Sequence, residues 1–269
     1  MKHLVRELVV APGSKFKLAQ IDPENTHGVE KPKAADRLAK NLERLSVLQY
    51  MLYADAKQAL LVVLQGIDAG GKDGTIRHVM SGLNPQGVTV MPFKVPEGAE
   101  KRHDYLWRVH KAVPEFGSIG IFNRSHYEDV LVVRVHALVP KPVWSKRYQQ
   151  INDFERMLSE NRVRIVKFLL YISKEEQAKR FRERLDDPTK NWKFSEADIK
   201  EREYWDQYIE AYQDMLRKCS TDLAPWYVIP ANHKWFRNLA VAEIVRHTLE
   251  SMDLQFPKPT ADLAGIKFE

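Results

Sequence analysis

Leu60-Leu-Val-Val-Leu-Gln65, followed at once by Gly66-Ile-Asp-Ala-Gly-Gly-Lys72-Asp-Gly74-Thr75, is the stretch that decides how this chain folds. The first part is apolar up to Gln65 and rich in valine and leucine, as a parallel strand buried on both faces must be. The second part matches G-x-x-x-x-G-K and lies between that strand and a helical candidate running from near Gly74 to about Gly82. Glycines let backbone amides curl around phosphate oxygens, a helix N-terminus adds positive potential, and a lysine reaches the outer phosphates. The stretch therefore predicts a phosphate cradle made of Gly66, Ala69, Gly70, Gly71, Lys72, Asp73, Gly74 and Thr75.

Two residues depart from the usual pattern. Asp73 follows the lysine where a magnesium-binding Ser or Thr is common, and Asp68 sits inside the loop. A carboxylate there repels phosphate unless a cation intervenes, and magnesium typically takes one or two carboxylates plus phosphates and waters. Asp68 is thus a metal-ligand candidate, for magnesium or manganese. The alternative is a carboxylate that holds the loop by accepting backbone N–H groups.

Outward from this loop, strand and helix patterns alternate. Residues 1–32 carry Pro12, Gly13, Pro23, Gly28 and Pro32 and read as an extended arm over the core. Leu38, Leu42, Leu45, Leu48 and Leu52 recur at helical spacing. Val88–Met91 and Ile119–Phe122 read as strands and Asp104–Val113 as a helix. Pro142–Asn161 is a helix, Val163–Ile172 a strand, and Ser173 with Glu176 a capping box. A long helix is expected over Glu196–Lys218, a strand over Trp226–Ile229 and a helix over Trp235–Met252. The alternation implies an α/β fold of three layers, a mostly parallel sheet with helices on both faces, forming one domain over 33–257. The tail, 258–269, wraps the surface or frays.

A second constellation, Ile121-Phe-Asn-Arg-Ser-His-Tyr-Glu-Asp129, leaves the carboxyl end of a predicted strand, where ligands bind in open α/β sheets. Asn123, Arg124, Glu128 and Asp129 reach a phosphate or metal from there, and the fixed fork of Arg124 suits phosphoryl oxygens. By spacing alone, this segment is equally an ordinary surface turn.

Together, GIDAGGKDGTI and FNRSHYEDVLVVRV closely resemble the polyphosphate kinase 2 family. The similarity runs on through DYLWRVH, QINDFERML, FLLYISKEEQAKRFRERLDDPTKNWKFS and APWYVIPANHKWFRN, roughly from Phe16 to Pro257. The resemblance implies a P-loop kinase-like fold with a lid insertion at about 180–195. It also implies phosphoryl transfer between inorganic polyphosphate and a nucleotide, with a divalent metal. Asp68 matches the family's essential loop aspartate, Lys72 its phosphate-binding lysine, and Arg124 an arginine common to its branches. One branch has Asp where this chain has Asn123; the present form resembles the branch that accepts AMP and ADP and forms ADP and ATP. The metal carboxylate is then Glu128 or Asp129 beside Asp68.

The stretch after Lys179-Arg180-Phe-Arg182-Glu-Arg184 matches the family's lid. Arg180 and Arg184 share a helical face, unless Glu176, Glu183, Asp186 and Asp187 neutralise them; Lys190 and Lys193 are weaker candidates. Arg77 and Arg134 are further candidates for polyphosphate contact. His126 reads as a packing or hydrogen-bonding residue, and Tyr204, Trp205, Tyr208 and Tyr212 as core or subunit packing.

Composition narrows the alternatives. The formal charge of +6 among 269 residues is spread thinly, without a basic stripe interleaved with aromatics, which argues against a nucleic-acid partner. No apolar run is long enough to span a bilayer, and the first residues do not read as a secretory leader. Cys219 stands alone, excluding an intrachain disulfide or thiolate cluster. The expectation is a cytoplasmic, homo-oligomeric kinase acting on polyphosphate and AMP, ADP or ATP. Its rivals are an ATP-dependent nucleoside or nucleotide kinase and a non-catalytic polyanion-binding module.

Overall fold

The computed structural model describes residues 3–260. In chain order its elements are α1 (His3–Leu8), α2 (Lys31–Asp55), β1 (Ala59–Gln65), α3 (Lys72–Val79), β2 (Val88–Pro92), α4 (Trp107–His110), β3 (Ile119–Asn123) and α5 (Val132–Val135). There follow α6 (Lys141–Glu160), β4 (Val163–Tyr171), α7 (Lys174–Asp186), α8 (Glu196–Glu201), α9 (Trp205–Cys219), β5 (Trp226–Pro230) and α10 (Lys234–Glu250). The strands form one sheet in the order β2-β3-β1-β4-β5, each pair parallel.

Every residue of β1 is buried, which is why its sequence is apolar on both faces. Side-chain alternation sends Leu60, Val62 and Leu64 into one core, with α2, α3 and α10. Ala59, Leu61 and Val63 enter the other, with α6 and α9. α10 is buried from Phe236 to Val245, because it packs against α2, α3 and the sheet at once. Its Glu243 is offset by Arg37 of α2 at 2.5 Å.

The sheet order fixes where a ligand can enter. From β1 the chain crosses toward β2, whereas from β3 it crosses toward β4. Their carboxyl ends lie level, with Leu64 beside Asn123, and the two connections leave in opposite directions on opposite faces of the sheet, so a crevice opens between them.

Several boundaries differ from expectation for local reasons. The arm begins as a helix, and Val10 N–H donates to the Trp226 carbonyl at 2.8 Å, so the arm covers the open edge of β5. Asp104 accepts from the Leu106 N–H at 2.9 Å, a local turn that shortens the expected 104–113 helix to α4. The expected helix over 196–218 breaks at Arg202–Tyr204. There Arg202 donates to Gln177 on α7 while Glu201 takes the Tyr208 hydroxyl, pulling adjacent residues to different elements. The expected Ser173 cap is present, accepting from Glu176 N–H at 3.1 Å. Of the tail, 261–269 lies outside the described residues. Among the described residues no helix is long and apolar enough to cross a membrane.

Candidate active site

The loop between β1 and α3 works because two of its positions admit only glycine. At Gly66 (φ 154°) a Cβ would stand 2.7 Å from the Leu170 carbonyl oxygen. At Gly71 (φ 106°) it would stand 2.0 Å from Arg237 Nη1. Gly71 precedes α3, so that helix begins at Lys72, two residues earlier than its pattern suggests. Lys72 is buried and folds back along the loop, its Nζ donating to the Gly66 carbonyl at 2.6 Å. Burial, reinforced by Arg124, lowers its ammonium to about 8 despite Asp68, Glu128 and Asp73 nearby.

At the end of β3, Arg124 takes a left-handed backbone (φ 63°), a conformation that costs a non-glycine residue of order 1 kcal/mol. Its Nη2 meets Asp68 Oδ1 at 2.5 Å, and its Nη1 lies 3.6 Å from Glu128. The two motifs recognised separately in sequence are therefore joined through one guanidinium. Asn123 donates to Asp73 Oδ1 at 2.8 Å, and Lys193, from the segment between α7 and α8, reaches Asp73 Oδ2 at 3.2 Å. Burial alone would raise the Asp73 carboxyl; these two hydrogen bonds outweigh it and hold it below its ordinary value. The segment expected as a lid thus touches the loop through Lys193, beside a cleft of about 710 Å³.

Asp68 and Glu128 are the two carboxylates on the Arg124 guanidinium; Asp73, which also lines the cleft, is engaged by Asn123 and Lys193. Among the described residues no group of three or more His, Cys, Asp or Glu stands ready to hold a metal ion. A pair of carboxylates nevertheless fits magnesium, whose remaining positions go to phosphate oxygens and water.

Other candidates are placed elsewhere. Asp129 is buried away from the cleft against Arg147, at 2.7 Å; burial raises its carboxyl although Arg147 opposes the change. Residues 126–130 form a 3-10 turn, whose successive side chains diverge by about 120°, so Glu128 and Asp129 cannot share a ligand. Arg77 is exposed on α3 and does not line the cleft. Arg134 ties α5 to α6 and α9, donating to Tyr148 at 3.0 Å, Asp214 at 2.8 Å and Glu210 at 2.5 Å. Arg180 borders the cleft but spends its donors on Glu176 and on the carbonyls of Ala69, Gly70, Ala231 and Asn232. It is a brace between the loop and the end of β5. Arg184 also borders the cleft, 3.3 Å from Asp198, and Lys190 is paired with Asp187 at 2.5 Å. Thr75 is buried and donates to the Gly71 carbonyl at 3.1 Å.

His126 is a packing residue, its Nε2 3.1 Å from Glu155. Glu155 also holds the buried Lys167 at 2.5 Å, and Lys167 donates to Tyr127 at 2.8 Å, which fixes the floor beneath the 124–129 turn. Trp205, Tyr208 and Tyr212 are core residues, as their spacing suggested. The sequence reading missed the first turns of α10, where Lys234, Trp235, Arg237 and Asn238 line the cleft. Their signal was their place just beyond the carboxyl end of β5, the same position that marked the 121–129 motif.

The Arg134 contacts carry a prediction. Arg134→Ala leaves Glu210 without its cation, Asp214 with Lys218 alone and Tyr148 without its donor, and should cost about 1 kcal/mol, discounted because Glu210 is largely exposed. A urea melt should show the loss, with the KM for any phosphate substrate unchanged. A raised KM at wild-type stability would return Arg134 to the site.

The sequence model of the family described as Polyphosphate kinase 2 matches residues 28–257, which take in the loop, the second motif, the 180–195 segment and α10. The chain belongs to the polyphosphate kinase 2 family. It is similar to the AMP/ADP-polyphosphate phosphotransferase of Meiothermus ruber, 53% identical over 262 residues that cover 97% of this chain and 98% of that protein. It is 45% identical to the ADP-polyphosphate phosphotransferase of Rhodopseudomonas palustris, covering 97% and 94% of the two chains. Among solved structures, Polyphosphate Kinase 2 from Arthrobacter aurescens TC1 superposes with a TM-score of 0.94 at 44% identity, covering 97% of this chain and 94% of that one. The three-layer, P-loop kinase-like architecture is thus the polyphosphate kinase 2 fold.

Proposed function

We propose that this chain transfers a phosphoryl group between inorganic polyphosphate and AMP or ADP, forming ADP or ATP. The observation that carries this reading is the meeting of Asp68 with Arg124 beside Lys72, at the level carboxyl ends of β1 and β3. The extent of similarity to the Meiothermus ruber enzyme supports the choice of substrates.

Phosphoryl transfer asks a protein mainly for positioning and charge neutralisation. An oxygen of the nucleotide's terminal phosphate attacks the end phosphorus of polyphosphate. A new P–O–P bond forms, the old one breaks, and the chain leaves shorter by one phosphate. The acceptor is already largely ionised, so no general base is required. The loop amides and Lys72 hold the phosphates being exchanged, and Lys72 trades its present acceptor, the Gly66 carbonyl, for phosphate oxygens. Arg124 is poised to move from its carboxylates to the charge that gathers on the transferred group. Asp68 and Glu128 would hold magnesium, which supplies neutralisation of donor and acceptor oxygens when bound. Lys193 and Arg184 close the cleft and keep water from competing as acceptor.

The test is direct. Purified protein with magnesium, polyphosphate and AMP or ADP, and with no ATP, should yield ADP or ATP. Nucleotide phosphorylation that needs ATP and ignores polyphosphate would overturn the reading in favour of an ordinary nucleotide kinase. Polyphosphate binding without any turnover would overturn it in favour of a binding module.

A further inference from the structure

Arg237 is 3% exposed and, among the described residues, makes no ion pair. Of the other buried cations, Lys167 is held by Glu155 and Arg180 by Glu176 and four carbonyls, while Lys72 of the loop donates to the carbonyls of Gly66 and Ile67. Arg237 donates from Nε and Nη2 to a single neutral acceptor, Asn238 Oδ1, at 3.1 and 2.8 Å. That bond aims the guanidinium and leaves Nη1 facing the loop, where a side chain at Gly71 would collide with it. Burial, with Arg180 close by, lowers the guanidinium to about 10. An uncompensated buried charge destabilises the free protein, and such a group is retained where a ligand supplies the counterion.

We propose that Arg237 is a binding residue for polyphosphate, its Nη1 donating to a phosphate oxygen that lies over the loop between Gly71 and Gly74. The proposal rests on the function proposed above and adds which substrate Arg237 contacts. Arg237 lines the cleft together with Arg184, Lys190, Lys193 and Lys234, the last paired with Glu183 at 3.0 Å. Trp235, which also lines the cleft, is engaged with His233 and Phe236. Pro92, Phe93, Lys94 and Asn123, from the ends of β2 and β3, line the same cleft. A chain that is anionic along its whole length and has no base fits this gathering of cations.

The test uses Arg237→Met and Arg237→Lys in the full chain, reading the KM for polyphosphate, the KM for AMP, and the melting temperature with and without polyphosphate. Arg237→Met should raise the polyphosphate KM about tenfold or more while the AMP KM stays within about twofold. Without ligand it should melt no lower than wild type, since a buried unpaired charge has gone, and polyphosphate should no longer stabilise it. Arg237→Lys, which keeps the charge without the fork, should fall between; it decides the matter alone if the Met variant does not fold. An unchanged polyphosphate KM, a lower melting temperature with both KM values raised together, or a rise in the AMP KM alone would each overturn the proposal. If the wild-type chain forms no ADP from AMP and polyphosphate, the function is wrong rather than this assignment. Polyphosphate-induced stabilisation then decides: its loss in Arg237→Met supports the binding role and its retention overturns it.

Discussion

Lys72→Met should lower polyphosphate-dependent formation of ADP from AMP by roughly 10³-fold, about 4 kcal/mol of transition-state stabilisation, and leave the protein folded. The loss is large because the ammonium sits inside the loop, sheltered from solvent, where a charge acts on phosphate oxygens with little screening. The fold should not suffer, for a reason visible in the Lys72 ionisation. Its value is lowered from 10.5 to about 8, so the folded chain binds this proton less readily than the unfolded one. The resulting penalty, of order 3 kcal/mol, is fully present below pH 8 and fades as pH rises toward 10.5. A methionine removes it, so the melting temperature at pH 7 should stay level or rise. The same value predicts that kcat/KM for polyphosphate falls as pH passes about 8, where the free enzyme loses this charge. A variant that unfolds, or one that keeps most of its turnover, would contradict the assignment.

Asp68→Asn should be nearly as damaging but in a different parameter. The carboxylate is paired with Arg124 at 2.5 Å and shares that guanidinium with Glu128. Removing its charge leaves a more positive cleft, so polyphosphate should bind equally well or more tightly while kcat drops roughly 10³-fold. The magnesium concentration needed for half-maximal rate should rise in Asp68→Asn and Glu128→Gln. In Asp129→Asn it should not move; that variant should lose stability instead, because Arg147 would be left in a buried site without its carboxylate. A raised magnesium requirement in Asp129→Asn alone would exchange the roles of the two adjacent acids. A fall in kcat that accompanies an equal loss of polyphosphate binding would reduce Asp68 to a holder of the loop.

Much of this arrangement was legible because single residues have single uses. β1 has no polar position before Gln65, so it had to be buried on both faces, and a loop with Gly66, Gly71 and Lys72 directly after it had to face the sheet's carboxyl edge. What stayed hidden was direction. Glu128 and Asp129 are neighbours in sequence, and only the 3-10 turn shows that one reaches Arg124 and the other Arg147. Arg134 and Arg180 have the residue type that phosphate sites favour, yet their donors are taken by Asp214 and Glu210 in one case and by backbone carbonyls in the other. Arg237 escaped notice for the opposite reason. It lies in a helix buried on all sides, and its isolation from any acid is a property of packing that spacing does not record.

The most direct measurement follows the phosphoryl group itself. Polyphosphate labelled in its end phosphoryl group, mixed with AMP, magnesium and the protein in the absence of ATP, should deliver the label to the β-phosphate of ADP. With Lys72→Met the label should remain in polyphosphate. Label that appears only as free inorganic phosphate, or ADP that forms unlabelled and only after ATP is added, would contradict transfer through this cleft.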